Sequence, residues 1–547
     1  MSHCSLRSVA EGALEKITES IEIPYKIVFT LSPFGVLRFM KKILFFKRSL
    51  YFFSLFLIPV SVANANEPLS LTLQETIETV LKNNISISVQ SYNSKINEQF
   101  IFEKEADFDP TVDFEFTVGE ETRQSASTLA DSKTRDLDYD WDFSVSQKFV
   151  TGGDYELTMD NNKNQSSSSR TSLNPIYSSD LALTVTQPLL KDFGIDLNKR
   201  EIYIAKNDQK ISDHQFTEKV IATIAETENI YWDLVFSIED LKVKETSLQR
   251  ARDLEKQVKA QVDVGTLAEL EILQAKSNVA SREERLLNAQ NLIDDNGDNL
   301  KSILNFSFDS EEGLKEIIPA DSPVFEPGAE NSLEEALKTA LIHRPDLLAK
   351  KMELENRNIE AKYNENQTLP TLDLVGSLGL NGLSGDSSTK NGSYDSALSE
   401  AFSTDFRLWQ FGINLSYPLG NRAAKSKLAI KRLEVAQLLL NIKDLEKTIV
   451  VEVREAHRQI KTDIKRVQAT RVARKLAEEK LNAEEKKFKV GLSTSFNVLE
   501  FQEDLAEEQS NEIKAVIDYN KSLNRLNQVM ARTLEAHDIK LFSKEDS

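Results

Sequence analysis

Residues 220–248 read VIATIAETENIYWDLVFSIEDLKVKETSL. Val220, Thr227, Leu234, Leu241 and Leu248 recur at every seventh position, with Ile224, Tyr231 and Ile238 between them. A seven-residue apolar repeat is the seam of a left-handed coiled coil. No Pro or Gly occurs from Asn198 to Val262, so one uninterrupted helix is predicted, roughly 100 Å long at 1.5 Å per residue. Val453, Ile460, Val467, Leu481 and Phe488 carry the same period later in the chain, interrupted by Arg474. Shorter helices are expected near 72–106 and 268–304. At roughly 52 and 55 Å, the two end to end match one long helix and can stack beside it.

The two long helices belong to a duplication. Leu73-Gln74-Glu75-Thr76-Ile77 resembles Leu333-Glu334-Glu335-Ala336-Leu337, and Pro110-Thr111-Val112-Asp113 resembles Pro370-Thr371-Leu372-Asp373. Leu183-x-Val185-x-Gln187-Pro188-Leu189 pairs with Ile413-x-Leu415-x-Tyr417-Pro418-Leu419. Val264-Gly265 followed by Ile272-Leu273 pairs with Val490-Gly491 followed by Val498-Leu499. Repeats of this length are duplicated domains rather than a short-period array. The expected organisation is an N-terminal extension and export signal over 1–65, a first repeat over 66–306, a linker over 307–331 rich in Pro and acids, and a second repeat over 332–547.

Between the helices, apolar and polar residues alternate. Val112, Phe114, Phe116 and Val118 alternate with Asp113, Glu115 and Thr117; Leu137, Tyr139, Trp141, Phe143 and Val145 alternate with Asp138, Asp140, Asp142 and Ser144. Trp409, Phe411, Ile413, Leu415 and Tyr417 do the same against Gln410, Gly412, Asn414 and Ser416. Leu181, Leu183 and Val185 give a shorter version, as do Leu372 and Leu374, and Tyr155, Leu157 and Met159 follow the Gly152-Gly153 turn. An aromatic face opposed by Asp and Asn suits a transmembrane barrel with lipid outside and water inside. Phe114, Trp141, Phe143, Trp409 and Phe411 are expected to face lipid. The stretches 120–136, 161–178 and 381–405 read as long polar surface loops. The glycines Gly376, Gly379, Gly382 and Gly385 read as flexible backbone where a strand passes into a loop. About six strands fall short of the roughly eight that close a membrane barrel, and open edges are prohibitive in lipid. Several copies must therefore share one barrel.

The chain has 547 residues, 67 Lys+Arg, 87 Asp+Glu and a net charge of −20. That acidity excludes nucleic acid as a partner, whose phosphates need cationic neutralisation. Residues 40–65 carry a basic start (Lys41, Lys42, Lys47, Arg48), an apolar run from Leu50 to Val62, and Ala63-Asn64-Ala65, the pattern of a signal cleaved after Ala65. Its removal takes away Cys4, the sole cysteine, and deepens the charge to −24. His214, His343, His457 and His537 lack metal-ligand spacing, and neither GxSxG nor GxxxxGK[ST] occurs. No cofactor and no catalysis are expected.

The element order, the duplication and the turns resemble the TolC-type outer-membrane efflux proteins over about residues 68–537. Val490-Gly491-Leu492-Ser493-Thr494-Ser495-Phe496-Asn497-Val498-Leu499-Glu500 is similar to that family's V-G-x-x-T-x-x-D-V-L-x turn, and Val264-Gly265-Thr266-Leu267-Ala268-Glu269-Leu270-Glu271-Ile272-Leu273-Gln274 is the first-copy version. The resemblance implies a mainly α chain with a membrane β-barrel, three copies building an outer-membrane β-barrel continuous with a periplasmic α-helical tunnel. It implies a homotrimer serving a tripartite efflux pump or type I secretion system, with a periplasmic adaptor (membrane fusion) protein and an inner-membrane pump or ABC exporter as partners. Within the turns, Val264, Gly265, Thr266, Val490, Gly491 and Leu492 would meet the adaptor; Glu271, Gln274, Asn497 and Glu500 would line the periplasmic constriction; Pro188 and Pro418 would mark the strand-to-helix swivels. Asn497 stands where the family often has Asp, so the constriction is expected to be less acidic. That family's barrel takes four strands from each chain, whereas the signals here suggest an extra hairpin around 137–160. The competing architectures are a trimeric coiled-coil adhesin or autotransporter, which carries a single C-terminal barrel, and a periplasmic adaptor, which carries one hairpin. Neither places strands inside two copies of a repeat.

Overall fold

The computed structural model describes residues 68–124, 131–307, 309–328 and 332–541. The expected export signal and Cys4 lie outside the described residues. Among the described residues no helix is long and apolar enough to cross a membrane.

Each repeat opens with a pair of short helices. Helices α1 (Leu73–Asn83) and α2 (Ile85–Glu105) begin the first, and α5 (Leu333–His343) and α6 (Pro345–Asn366) begin the second. Both pairs start with a capping box, Thr72 with Glu75 and Ser332 with Glu335, which satisfies two orphan donors reciprocally. The single helix expected over 72–106 is broken. Asn84 adopts an extended conformation and its side chain caps Ile87, and Arg344 in the second copy is held extended ahead of Pro345.

The long helices are α3 (Arg200–Asp263, 64 residues) and α8 (Arg422–Lys489, 68 residues). They turn back into α4 (Glu269–Leu304) and α9 (Ser495–Val529). α3 packs against α4 along one half and α2 along the other, and α8 does the same with α9 and α6. Val220, Ile224, Thr227, Tyr231 and Leu234 are fully buried, as are Val453, Ile460 and Val467, so the heptad residues form the seam. Arg474, which interrupts the second heptad series, pairs with Glu512 of α9 at 2.5 Å. α3 also packs along α9, joining the two hairpins.

Midway along the helices, β1 (Leu69–Leu71) pairs in parallel with β6 (Ile317–Pro319). Tyr231 Oη reaches Leu71 O at 3.1 Å and Asp321 Oδ2 at 2.9 Å, and burial pushes the phenol pKa up. Phe325 stacks edge-on against Tyr519 at 5.1 Å with Arg471 over its ring. The segment between the repeats is therefore pinned to both of them.

The strands form one antiparallel sheet: β2 (Thr111–Gln124), β3 (Lys133–Lys148), β4 (Asp154–Ser166), β5 (Ile176–Pro188), β7 (Thr371–Gly385) and β8 (Arg407–Ser416), paired in that order. The strands are longer than the alternation suggested. Much of the expected loops 120–136 and 161–178 is paired strand, for example Gln124 with Lys133 and Ser166 with Asp136. Backbone pairing continues where both faces are polar, and there side-chain periodicity gives no signal. The expected loop 381–405 contains a helix, α7 (Tyr394–Phe402), laid on the sheet over β5 and β7.

Candidate functional site

At the far end of the coiled coils both hairpin turns are Schellman caps. Gly265 N donates to Val262 O at 2.9 Å and Thr266 N to Gln261 O at 2.8 Å; Gly491 N donates to Phe488 O at 3.0 Å and Leu492 N to Lys487 O at 2.9 Å. Gly265 and Gly491 have φ of +79° and +77°, where a side chain is strained. Nothing lies within 4 Å of a Cβ built at either. Val264, Val490 and Leu492 are each at least two-thirds exposed. The turns thus present bare apolar knobs on a rigid backbone.

Just inside, the expected constriction residues separate into different roles. Glu271 is half-buried and accepts a hydrogen bond from Ser495 Oγ, the first residue of α9, which links the two turns. Asn497 is half-buried and reaches Ser493 Oγ at 3.4 Å. Glu500 and Gln274 are exposed in the single chain.

The residue that sequence reasoning missed is Arg282 on α4. It is 3% exposed. Nη1 donates to Ser247 O of α3 at 2.8 Å and to Gln502 Oε1 of α9 at 3.3 Å, and Nη2 donates to Leu499 O at 3.1 Å. Burial pushes its pKa down to about 10, with Glu503 pulling the other way. Its neighbours extend this into a ladder between the hairpins: Arg285 with Glu503 at 2.5 Å, Lys244 Nζ with Ser510 Oγ at 3.2 Å, Lys521 with Asp233 at 2.5 Å, and Asn524 Nδ2 with Ala225 O at 2.8 Å. In the sequence Arg282 looks like part of an ordinary solvated face, and only the position of α9 buries it.

At the opposite end, strands swing into long helices through left-handed residues rather than through the prolines alone. Pro188 ends β5, after which Asp192 (φ +62°) and Gly194 (φ +120°) turn the chain toward α3, with Asn198 Nδ2 holding Asp192 O and Gly194 O at 2.9 Å. After Pro418, Gly420 (φ +86°) and Asn421 (φ +41°) do the same toward α8, and Asn421 Nδ2 donates to Thr368 O at 3.0 Å.

The sheet has two unlike faces. One row runs Val112, Val145, Leu157, Leu183, Leu378, Trp409 across all six strands, and the next runs Phe114, Phe143, Met159, Leu181, Leu380. The opposite face carries Glu115, Asp142, Asp160, Asp180, Asn381 in one row. Phe114, Trp409 and Phe411 are about two-thirds exposed, and Phe143 less so. Trp141 lies on the same apolar face but its ring meets Tyr394 of α7 at 5.7 Å. There the face turns polar: Asn161 and Ser179 are buried and bonded to each other at 2.7 Å beneath α7. Gly382 is the reason α7 fits, since a Cβ there would come within 1.9 Å of Ala397 O. The reading of Gly382 as flexible backbone is therefore replaced by close packing. Among the described residues, no group of three or more His, Cys, Asp or Glu is placed to hold a metal ion.

A family profile described as outer membrane efflux protein matches residues 156–305 and 336–532. This chain belongs to the outer membrane efflux protein family. A comparison with curated protein sequences gives no match. Solved structures share the fold at low identity. The outer-membrane channel OprN is 14% identical over 84% of this chain and 89% of its own, with a TM-score of 0.62. The CmeC outer membrane channel of Campylobacter jejuni is 15% identical over 84% and 86%, with a TM-score of 0.61. VceC of Vibrio cholerae is 15% identical over 84% and 95%, with a TM-score of 0.59. The family's place is the outer membrane and its activity is export through a channel, so this efflux protein is a transport duct. The family profile covers both repeats from β4 onward and leaves β2 and β3 outside its match.

Proposed function

We propose that three copies of this efflux protein form a passive duct from the periplasm to the exterior, serving a tripartite pump or a type I secretion system. The observation that carries this reading is the six-stranded sheet with two unpaired edges, an apolar face and an acidic face, continuous with coiled-coil hairpins. Lipid does not tolerate unpaired edge groups, and a closed ring of copies removes them. The acidic face then lines water and the aromatic face meets lipid.

The exposed knobs Val264, Val490 and Leu492, with Gly265, Thr266 and Gly491 setting their backbone, are the surface for a periplasmic adaptor, which an inner-membrane pump or ABC exporter would join. Threefold symmetry would turn Glu271 and Glu500 into rings of like charge, with Gln274 and Asn497 between them; such rings favour cations. The Glu271–Ser495 link and the Arg282 ladder hold the two hairpins of one chain together, so the resting tip is closed and opening is a shift of one hairpin against the other.

Native mass measurement in detergent, followed by planar-bilayer recording of the same material, tests the reading. Three chains and a cation-selective, small-conductance channel are expected. A monodisperse, folded single chain that does not conduct would overturn it.

A further inference from the structure

The hairpin of β3 and β4 lies between β2 and β5. In sequence it also separates the Pro110-Thr111-Val112-Asp113 strand from the Gln187-Pro188 strand. A surface flap would have no reason to continue the rows of a membrane wall. This hairpin continues them on both faces. Val145 and Leu157 stand in the apolar row between Val112 and Leu183, and Phe143 and Met159 stand between Phe114 and Leu181. On the other face Asp142 and Asp160 stand between Glu115 and Asp180. The polar face is knitted across the hairpin, with Asn162 Nδ2 on Asp140 at 2.6 Å and Asn164 Nδ2 on Asp138 at 2.6 Å. Pairing is continuous over the whole length of β2, from Thr111 with Ser146 to Gln124 with Lys133.

Parity makes the insertion possible. Two added strands leave every later strand pointing the same way, so β5 still descends into α3 and β2 still rises from α2. The outermost strands, β2 and β8, are exposed along nearly their whole length, whereas β3, β4 and β5 are mostly half-buried. They run in opposite directions, so β8 of one copy can pair antiparallel with β2 of the next, Phe114 falling on the same face as Trp409 and Phe411.

We infer that this chain builds an eighteen-stranded barrel, six strands from each of three copies, with the β3–β4 hairpin as lipid-facing wall. The inference rests on the trimeric reading above. At a strand spacing of about 4.8 Å and a tilt of about 40°, each strand takes roughly 6.3 Å of circumference. Eighteen strands give a barrel about 36 Å across between backbones, against about 24 Å for the twelve that would remain without the hairpin. The exterior mouth is then wider by about half, in the size class of barrels that leave an open aqueous channel. The hairpin also places Asp138, Asp140 and Asp142 of each copy on the lumen wall.

Cysteine pairs in the full chain expressed in a bacterial outer membrane, on a Cys4→Ser background, test this. Phe114→Cys with Phe143→Cys, and Met159→Cys with Leu181→Cys, are expected to form disulfides within one chain. Phe114→Cys combined in turn with Trp409→Cys, Phe411→Cys and Ile413→Cys is expected to give covalent multimers ending at trimer on denaturing gels for at least one pair. Phe114→Cys with Leu181→Cys is expected to stay reduced, because two strands stand between them. A disulfide between positions 114 and 181, or none between 114 and 143, overturns the inference by placing β2 directly against β5 with the hairpin expelled. Native mass separates the two claims. Three chains with a 114–181 disulfide would keep the trimer and remove the eighteen strands; any other chain number with the 114–143 and 159–181 disulfides would remove the trimer, and eighteen with it, while leaving six strands per chain.

Discussion

Arg282 is the clearest lever on the closed state. Arg282→Met keeps most of the side-chain length and removes the guanidinium that joins α4 to α3 and α9. That group makes three donated bonds, one to α3 within its own hairpin and two to α9, each worth about 1.5–3 kcal/mol when the donor is charged. Against them stands desolvation: a pKa pushed down to about 10 corresponds to on the order of 3 kcal/mol. Counting only the two bonds that reach α9, the balance is roughly 0–3 kcal/mol per chain in favour of the linked hairpins. If opening separates α9 from α4, about 1 kcal/mol per chain from within that range, summed over three copies, shifts the closed-to-open ratio by about 150-fold. The fold itself should tolerate the change, since a loss of a few kcal/mol moves the melting point only slightly in a chain of this size. The expected result is an unchanged trimer mass, a melting transition near that of the parent, and a channel with far higher open probability in planar bilayers. A variant that conducts like the parent would refute the reasoning and leave Arg282 as a packing residue. Arg282→Lys, which cannot span three acceptors as a fork, should fall between the two.

Four further outcomes follow from the structure. Glu271→Gln with Glu500→Gln should weaken cation selectivity while the trimer persists, read by reversal potentials in a salt gradient. Gly491→Val should cost about 1–2 kcal/mol in local backbone strain without clash, so isolated trimer survives while adaptor-dependent export in a drug-efflux assay falls. Gly382→Leu should displace α7 and expose Asn161 and Ser179, read as faster proteolysis within 386–406 with the long helices intact. Asp463, 1% exposed in α8, has its pKa raised by burial. A carboxyl whose folded pKa is raised is favourable while protonated and loses stability as pH climbs through that raised value, so Asp463→Asn should raise the melting temperature at pH 7 and leave it little changed near pH 4.

The helical half of this architecture was legible because its information is local and periodic. A seven-residue repeat in Val220 to Leu248 needs no partner to be read, and the paired Val-Gly turns mark where each hairpin reverses. At Arg344 the break comes from Pro345, which holds the residue before it extended. The break at Asn84 was not legible, because nothing but a capping Asn marks it, and Asn is common inside helices that continue. The strand cores were legible as alternation, and their ends were not: past Gly119 in β2 and Asn161 in β4 both faces are polar, yet the backbone ladder runs on.

The unread part of the site has one cause. Arg282 sits in Ser281-Arg282-Glu283-Glu284-Arg285, a run that describes a solvated helix face by every local criterion. What buries it is Leu499 and Gln502, more than two hundred residues later, and no periodicity within α4 reports that distance. The same holds for Gly382, whose need for a bare Cα comes from Ala397 and not from its own strand. Residues that build an element announce themselves in that element's period; residues that join two elements do not. The joints of this duct are therefore where sequence falls silent: Glu271 to Ser495, Arg282 to Leu499, Lys521 to Asp233. On the opening proposed above, a motion of one hairpin against the other would break these bonds, so side chains that are least visible in the sequence would bear on the energy of opening.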